Sequence, residues 1–225
     1  MKSTIMKENK KKIELADQRL NVYGFLARIF REEITPEFLP KLRDPQILGV
    51  LSTFGSDLGD DFVQGNENDL VEDMAVEYTR LFLGPGKHIP PNESIFHERE
   101  DGDWGRFWGA STVEVKKFIE TAGLTYRDDF TDMPDHISVE FEFMQKIIVK
   151  EKDEWNEVNR DGALYCLKME KMFIDDHLIQ WVPRFCNEVI YDAELAFYSE
   201  MAKITRSFIE FEKENIDDYI FEASG

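Results

Sequence analysis

His136 and Glu140 stand one helical turn apart, a spacing that could put two metal ligands on one face of a helix. A carboxylate-bridged di-metal bundle needs more, namely a Glu-x-x-His pair on each of two helices, and the chain contains no Glu-x-x-His. The four histidines, at 88, 97, 136 and 177, are too scattered to specify a triad. Gly84-Pro85-Gly86-Lys87 lacks the lead and the Ser/Thr of a phosphate-binding loop, and neither Gly-x-Gly-x-x-Gly nor Gly-x-Ser-x-Gly occurs. Cys166 and Cys186 lie inside helical patterns and read as buried small hydrophobes in a reducing compartment. No catalytic residue, metal set or cofactor is assigned. The aromatic, proline-rich and acidic residues between 77 and 109 remain as candidates for binding.

Composition narrows the partner. The 225 residues are 42% hydrophobic and 32% charged, the balance of a folded globular chain. Forty-six acidic against 27 basic side chains give a formal charge of −19, which repels nucleic acid and permits a cationic partner. Apolar runs are only a few residues long, far short of the roughly 20 that cross a bilayer. The basic segment Met1–Lys12 is followed by mixed residues and not by an apolar stretch, so it does not read as a secretory signal, and a cytoplasmic protein is expected.

The elements that must position these residues are helical throughout, because apolar side chains recur at spacings of three and four without strict alternation. The pattern predicts an all-α, single domain of roughly ten helices over 11–213, with a flexible 1–10 and a loose acidic tail at 214–225. A first long helix spans about Lys11 to Arg31, with Leu20, Tyr23, Leu26, Ala27, Ile29 and Phe30 inward. Thr35-Pro36 and Asp44-Pro45 each place a cap before a proline and open short helices. Asn68 caps a helix with the stripe Leu70, Met74, Tyr78, Leu81 and Phe82, closed by Gly84-Pro85-Gly86. A long ordered segment follows to about Gly109, with Pro90-Pro91 and the cluster Trp104, Phe107 and Trp108.

Ser111 and Glu114 form a capping box for a helix stopped by Gly123. After the polar stretch Arg127–Asp132, a long helix from near Pro134 to about Asn156 buries Ile137, Phe141, Met144 and Ile148. An internal hinge between N- and C-terminal halves is expected near 129–134. Leu164 to Phe185 continue the pattern with Pro183 forcing a start or kink, and a last helix covers about Asp192 to Lys213.

Three ordered stretches resemble the TorD/DmsD family of redox-enzyme maturation chaperones. The first is Glu77-Tyr78-Thr79-Arg80-Leu81-Phe82-Leu83-Gly84-Pro85-Gly86 with Pro90-Pro91-Asn92-Glu93-Ser94; the second is Pro134-Asp135-His136 through Met144; the third is His177 through Phe185. The resemblance fits the TorD/DmsD type better than the nitrate-reductase branch, and implies the family's all-α fold. It implies a non-enzymatic protein that binds the twin-arginine leader peptide, or another N-terminal segment, of a molybdenum-containing oxidoreductase while its cofactor is inserted, delaying export. By position it transfers peptide binding to Glu77, Tyr78, Leu81, Phe82, Pro85, Gly86, Pro91, Glu93, Pro134, Asp135 and His136. Asp135, Glu93 and Glu77 are the expected partners of the peptide's arginines, and Leu81, Phe82, Trp104 and Trp108 the expected apolar wall. Some relatives carry an aromatic directly after the Gly-Pro or Pro-Pro pair, where this chain has Gly86 and Asn92, a departure that leaves the client preference open. A monomer is expected, and the family allows a domain-swapped dimer. The competing readings are a helical metalloprotein or metal-dependent hydrolase using His136 and Glu140, and a general helical interaction module.

Overall fold

The apolar stripe that starts near residue 13 and ends at Phe30 needs a partner surface, and that partner is the other long amphipathic run, 137–156. In the computed structural model, which describes residues 2–97, 106–126 and 130–224 and side chains from residue 8 onward, α1 (Lys2–Arg31) packs along α7 (Ile137–Asn156). Between them in the chain lie α2 (Leu39–Leu42), α3 (Pro45–Thr53), α4 (Asp60–Gln64), α5 (Glu67–Tyr78) and α6 (Ala110–Thr121). After them come α8 (Arg160–Phe173), α9 (Ile179–Asp192) and α10 (Ala196–Ser224), each packed on the next or on α7. Among the described residues there is no strand beyond one isolated antiparallel bridge, Asn92 to His136. Among the described residues no helix is long and apolar enough to cross a membrane.

The core is aromatic. Tyr23 meets Phe141 edge-on at 5.6 Å, Phe30 meets Phe82 and Phe185 at 6.0 and 5.5 Å, and Phe96 lies 5.6 Å from Trp181. Ile137, Phe141, Met144 and Ile148 are fully buried, as their spacing requires. Both cysteines are buried and free.

Several boundaries differ from expectation, the two termini through distant contacts and the helix starts through local ones. Of the segment 1–10 expected to be flexible, residues 2–10 belong to α1, where the Asn9 amide donates to the Trp155 carbonyl at 3.0 Å. Of the tail 214–225 expected to be loose, residues 214–224 are instead the end of α10, with Ile216 and Ala223 buried and the Ala223 and Glu222 carbonyls taken by Arg160 and Lys12. The α5 cap is Asn66, whose side chain accepts from the amides of Asn68 and Asp69, so Asn68 lies inside the helix. Asp44 does cap α3, but Thr35 opens a turn and α2 begins four residues later. Ser111 caps nothing: α6 starts one residue before it, behind an extended Gly109. Helix α7 starts at Ile137, because Pro134 and Asp135 form a turn before it. Residue 129 of the expected hinge and Trp104 lie outside the described residues.

Two π-helical turns interrupt the helical run, one at Thr79–Leu83 where α5 meets Gly84-Pro85, and one at Ile174–Leu178 where α8 passes into α9. Pro183 sits inside the first turns of α9, just past the second. Such wide turns are uncommon and often accompany functional sites. The first leads into the Gly-Pro loop, and the second carries His177, which bonds Glu93.

Candidate functional site

The Pro-Pro and Pro-Asp-His segments lie far apart in sequence, and backbone bonds join them. Glu93 N donates to Asp135 O at 2.9 Å and Ile137 N to Pro91 O at 2.8 Å, on either side of the Asn92–His136 bridge. Asp135 is fully buried, and its Oδ2 accepts from Ser94 N at 2.9 Å and Thr112 Oγ1 at 3.0 Å, tying α6 to the same knot. His136 caps α7: its Nδ1 accepts from Ser138 N at 3.2 Å. Burial pushes the His136 imidazole down to about 4, so the ring is neutral and can act as that acceptor.

Glu93 is buried beneath this knot. Burial works to raise its carboxyl, but hydrogen bonds from His177 Nδ1 at 3.1 Å and His97 Nε2 at 2.9 Å outweigh it and hold it below the usual range. Behind it, Glu140 Oε2 accepts from the Trp181 indole at 3.0 Å, and burial together with the Glu93 charge pushes the Glu140 carboxyl well up. His136 and Glu140 are thus committed to Ser138 and Trp181. Among the described residues no three His, Cys, Asp or Glu side chains are grouped to hold a metal. Burial raises both thiols, Cys166 to about 12 and Cys186 further.

Glu77 is used differently again. Arg80 grips it through two hydrogen bonds of 2.6 and 2.8 Å, and it accepts the amides of Glu194 and Leu195 ahead of α10. Leu81 and Phe82 point into the core, as does Tyr78, whose hydroxyl donates to Phe30 O at 3.0 Å. Pro91 and Pro134 are buried, whereas Pro85 and Gly86 stand exposed on a loop closed by Ile89 N to Leu81 O at 2.7 Å. The three carboxylates expected to meet arginines are therefore buried and bonded within the protein.

Where the knot reaches the surface there is an open cleft of about 610 Å³. Tyr78, Asn92, His136 and Ser138 line it from the two motif segments. Leu83 and Phe107, 63% and 45% exposed, supply apolar surface. Glu32, Glu33 and Asp132 supply negative charge, and Arg31, also on the wall, is paired to Glu142 at 2.6 Å. Glu32 and Glu33 follow directly on α1, more than forty residues before the motifs. Only the charged end of an apolar stripe could have flagged them. Trp108 is exposed, in left-handed backbone at φ 62°, and is not among the cleft's lining residues.

A family model described as the nitrate reductase delta subunit matches residues 49–187. The chaperone protein TorD of Photobacterium profundum is 23% identical over 212 residues, covering 89% of this chain and 94% of the relative. That of Vibrio cholerae is 21% identical over 225 residues, covering 93% and 96%. A solved structure described as a redox enzyme maturation protein from Archaeoglobus fulgidus covers 85% of this chain and 93% of its own, with a TM-score of 0.50 and 22% identity, and it shares the helical fold.

Proposed function

The chain belongs to the nitrate reductase delta subunit family, and from that premise we propose that it is a cytoplasmic maturation chaperone with no chemistry of its own. It binds the twin-arginine leader peptide, or another N-terminal segment, of a molybdenum-containing oxidoreductase. Binding assists cofactor insertion and delays export until the client has folded, and the chaperone acts as a monomer. The observation that carries this reading is the cleft where the joined Pro-Pro and Pro-Asp-His segments reach the surface, with apolar walls beside acidic side chains. A leader peptide offers the complement, two guanidinium groups and an apolar stretch.

On this reading the transferred residues divide by depth. His136 touches the peptide and the nearly buried Tyr78 forms part of the cleft wall, while Pro85 and Gly86 stand exposed on the adjoining loop. Glu77, Leu81, Phe82, Pro91, Glu93, Pro134 and Asp135 act one layer down, as the frame that fixes the cleft.

The test is affinity capture of the tagged chain from its native host grown without oxygen, followed by mass spectrometry. Recovery of a molybdoenzyme precursor with its leader intact is expected. Recovery of the chain alone, carrying stoichiometric metal, would move the assignment to a metalloprotein.

A further inference from the structure

Asn92 is 5% exposed and lines the cleft, and among the described residues its side-chain carboxamide makes no hydrogen bond. Its Oδ1 and Nδ2 are not among the fully buried polar atoms, so what remains exposed of this side chain is its polar end, at the cleft. Its backbone leaves it little freedom: φ −128° and ψ 132° are extended, its N–H donates to Pro90 O at 2.8 Å, and its carbonyl accepts from Ile95 N at 3.1 Å. The bridge to His136 pins the other side. The carboxamide therefore stands at the cleft on a rigid support, with one acceptor and two donors available. A peptide main chain presents the matching carbonyl and N–H at every residue.

The charges nearby ask for a cation. Glu32 and Glu33 sit at the carboxyl end of the 30-residue α1, where the helix dipole already concentrates negative potential, and Asp132 adds a third carboxylate to the cleft. Acidic side chains at that end of a helix work against folding. Arg28 meets Glu32 at 2.7 Å, and Thr79 donates to Glu33 at 3.0 Å, so each retains acceptor capacity. The planar fork of a guanidinium suits paired carboxylates better than an ammonium does.

Building on the chaperone reading, we propose that the cleft holds its peptide in extended form, with the Asn92 carboxamide bonding the peptide main chain and Glu32, Glu33 and Asp132 receiving its arginine side chains. Asn92 is then a sequence-blind clamp and the three carboxylates are the specificity determinants. The two roles are separable by experiment.

The probes are a fluorescent synthetic peptide with two adjacent arginines before a leucine- and alanine-rich stretch, and its counterpart with both arginines replaced by glutamine. Each is titrated into the full-length wild-type chain, into Asn92→Ala, and into Glu32→Gln/Glu33→Gln. Thermal melts of each variant check that it is folded. Asn92→Ala should weaken both peptides alike, by about tenfold, the scale of one lost hydrogen bond. The double glutamine variant should weaken the arginine peptide by about tenfold or more and leave the glutamine peptide within about twofold. If the wild type binds the arginine peptide but folded variants bind it equally well, or the acidic variant weakens both peptides to the same degree, this assignment fails while the chaperone reading stands. If the wild type binds neither peptide, the chaperone reading fails and this assignment with it.

Discussion

Asp135 shows what a buried carboxylate does in this protein: it gathers the Ser94 amide and the Thr112 hydroxyl from two separate segments, and no part of it reaches solvent. Its effect on binding must act through Asn92 and His136, which hang on the same knot and line the cleft. Asp135→Ala removes two acceptor contacts and is expected to cost about 1 to 3 kcal/mol of stability, measured by urea unfolding. Peptide affinity should fall with it, while Asp135→Asn, which keeps one acceptor oxygen, should lose less of both. A folded Asp135→Ala with unchanged stability and affinity would remove Asp135 from the frame.

At the scale of elements, the long helices are fastened by a buried ion cluster. Arg19 of α1 lies 2.7 Å from Glu170 of α8, 2.7 Å from Glu212 of α10 and 3.5 Å from Glu151 of α7. One cation faces three carboxylates in a site closed to water, so burial dominates and pushes the Glu170 carboxyl up to about 8, against Arg19, which acts to lower it. Between its ordinary value of 4.5 and about 8, the folded protein keeps a proton that the unfolded chain releases. The stability contributed by protonated Glu170 is therefore full below about pH 4.5 and lost as pH rises through about 8. Glu170→Gln, which cannot ionise, should flatten the fall in unfolding free energy across that interval in denaturant titrations at stepped pH. An unchanged slope in the variant would place the titration elsewhere.

For the whole molecule, a net charge of −19 on 225 residues makes self-repulsion a global term. Raising salt from about 10 mM to about 150 mM shortens the screening length from about 30 to about 8 Å. The melting temperature should rise by several degrees over that range, while affinity for an arginine-bearing peptide should drop several-fold. Parallel melting and anisotropy titrations check the opposed signs. Stability and binding moving in the same direction would refute an electrostatic origin for one of them.

Helices and family could be read from the sequence because both are local properties. The stripe from Tyr23 to Phe30, the run Ile137, Phe141, Met144, Ile148 and the stop at Gly123 carry their periodicity and turn chemistry within a few residues, and the structure agrees with each. The three motif stretches likewise pointed to TorD relatives, and TorD proteins match nearly the whole chain. Both caps lie two residues ahead of expectation: at α5 Asn66 takes the amides in place of Asn68, and at α6 an extended Gly109 stands at the cap with no side-chain bond, and periodicity cannot rank such neighbours. The tertiary structure decided which charges are buried and which face solvent. Arg19 looks like a surface residue in sequence but is buried, because Glu151, Glu170 and Glu212 reach it from more than a hundred residues away. Glu77 and Glu93 look available but are held by Arg80 and by two histidines, while Glu32, Glu33 and Asn92 reach the cleft. A side chain's partners along a helix follow from its spacing; its partners across the core depend on how the helices pack, and that packing alone determines whether a carboxylate is buried within the fold or faces the cleft.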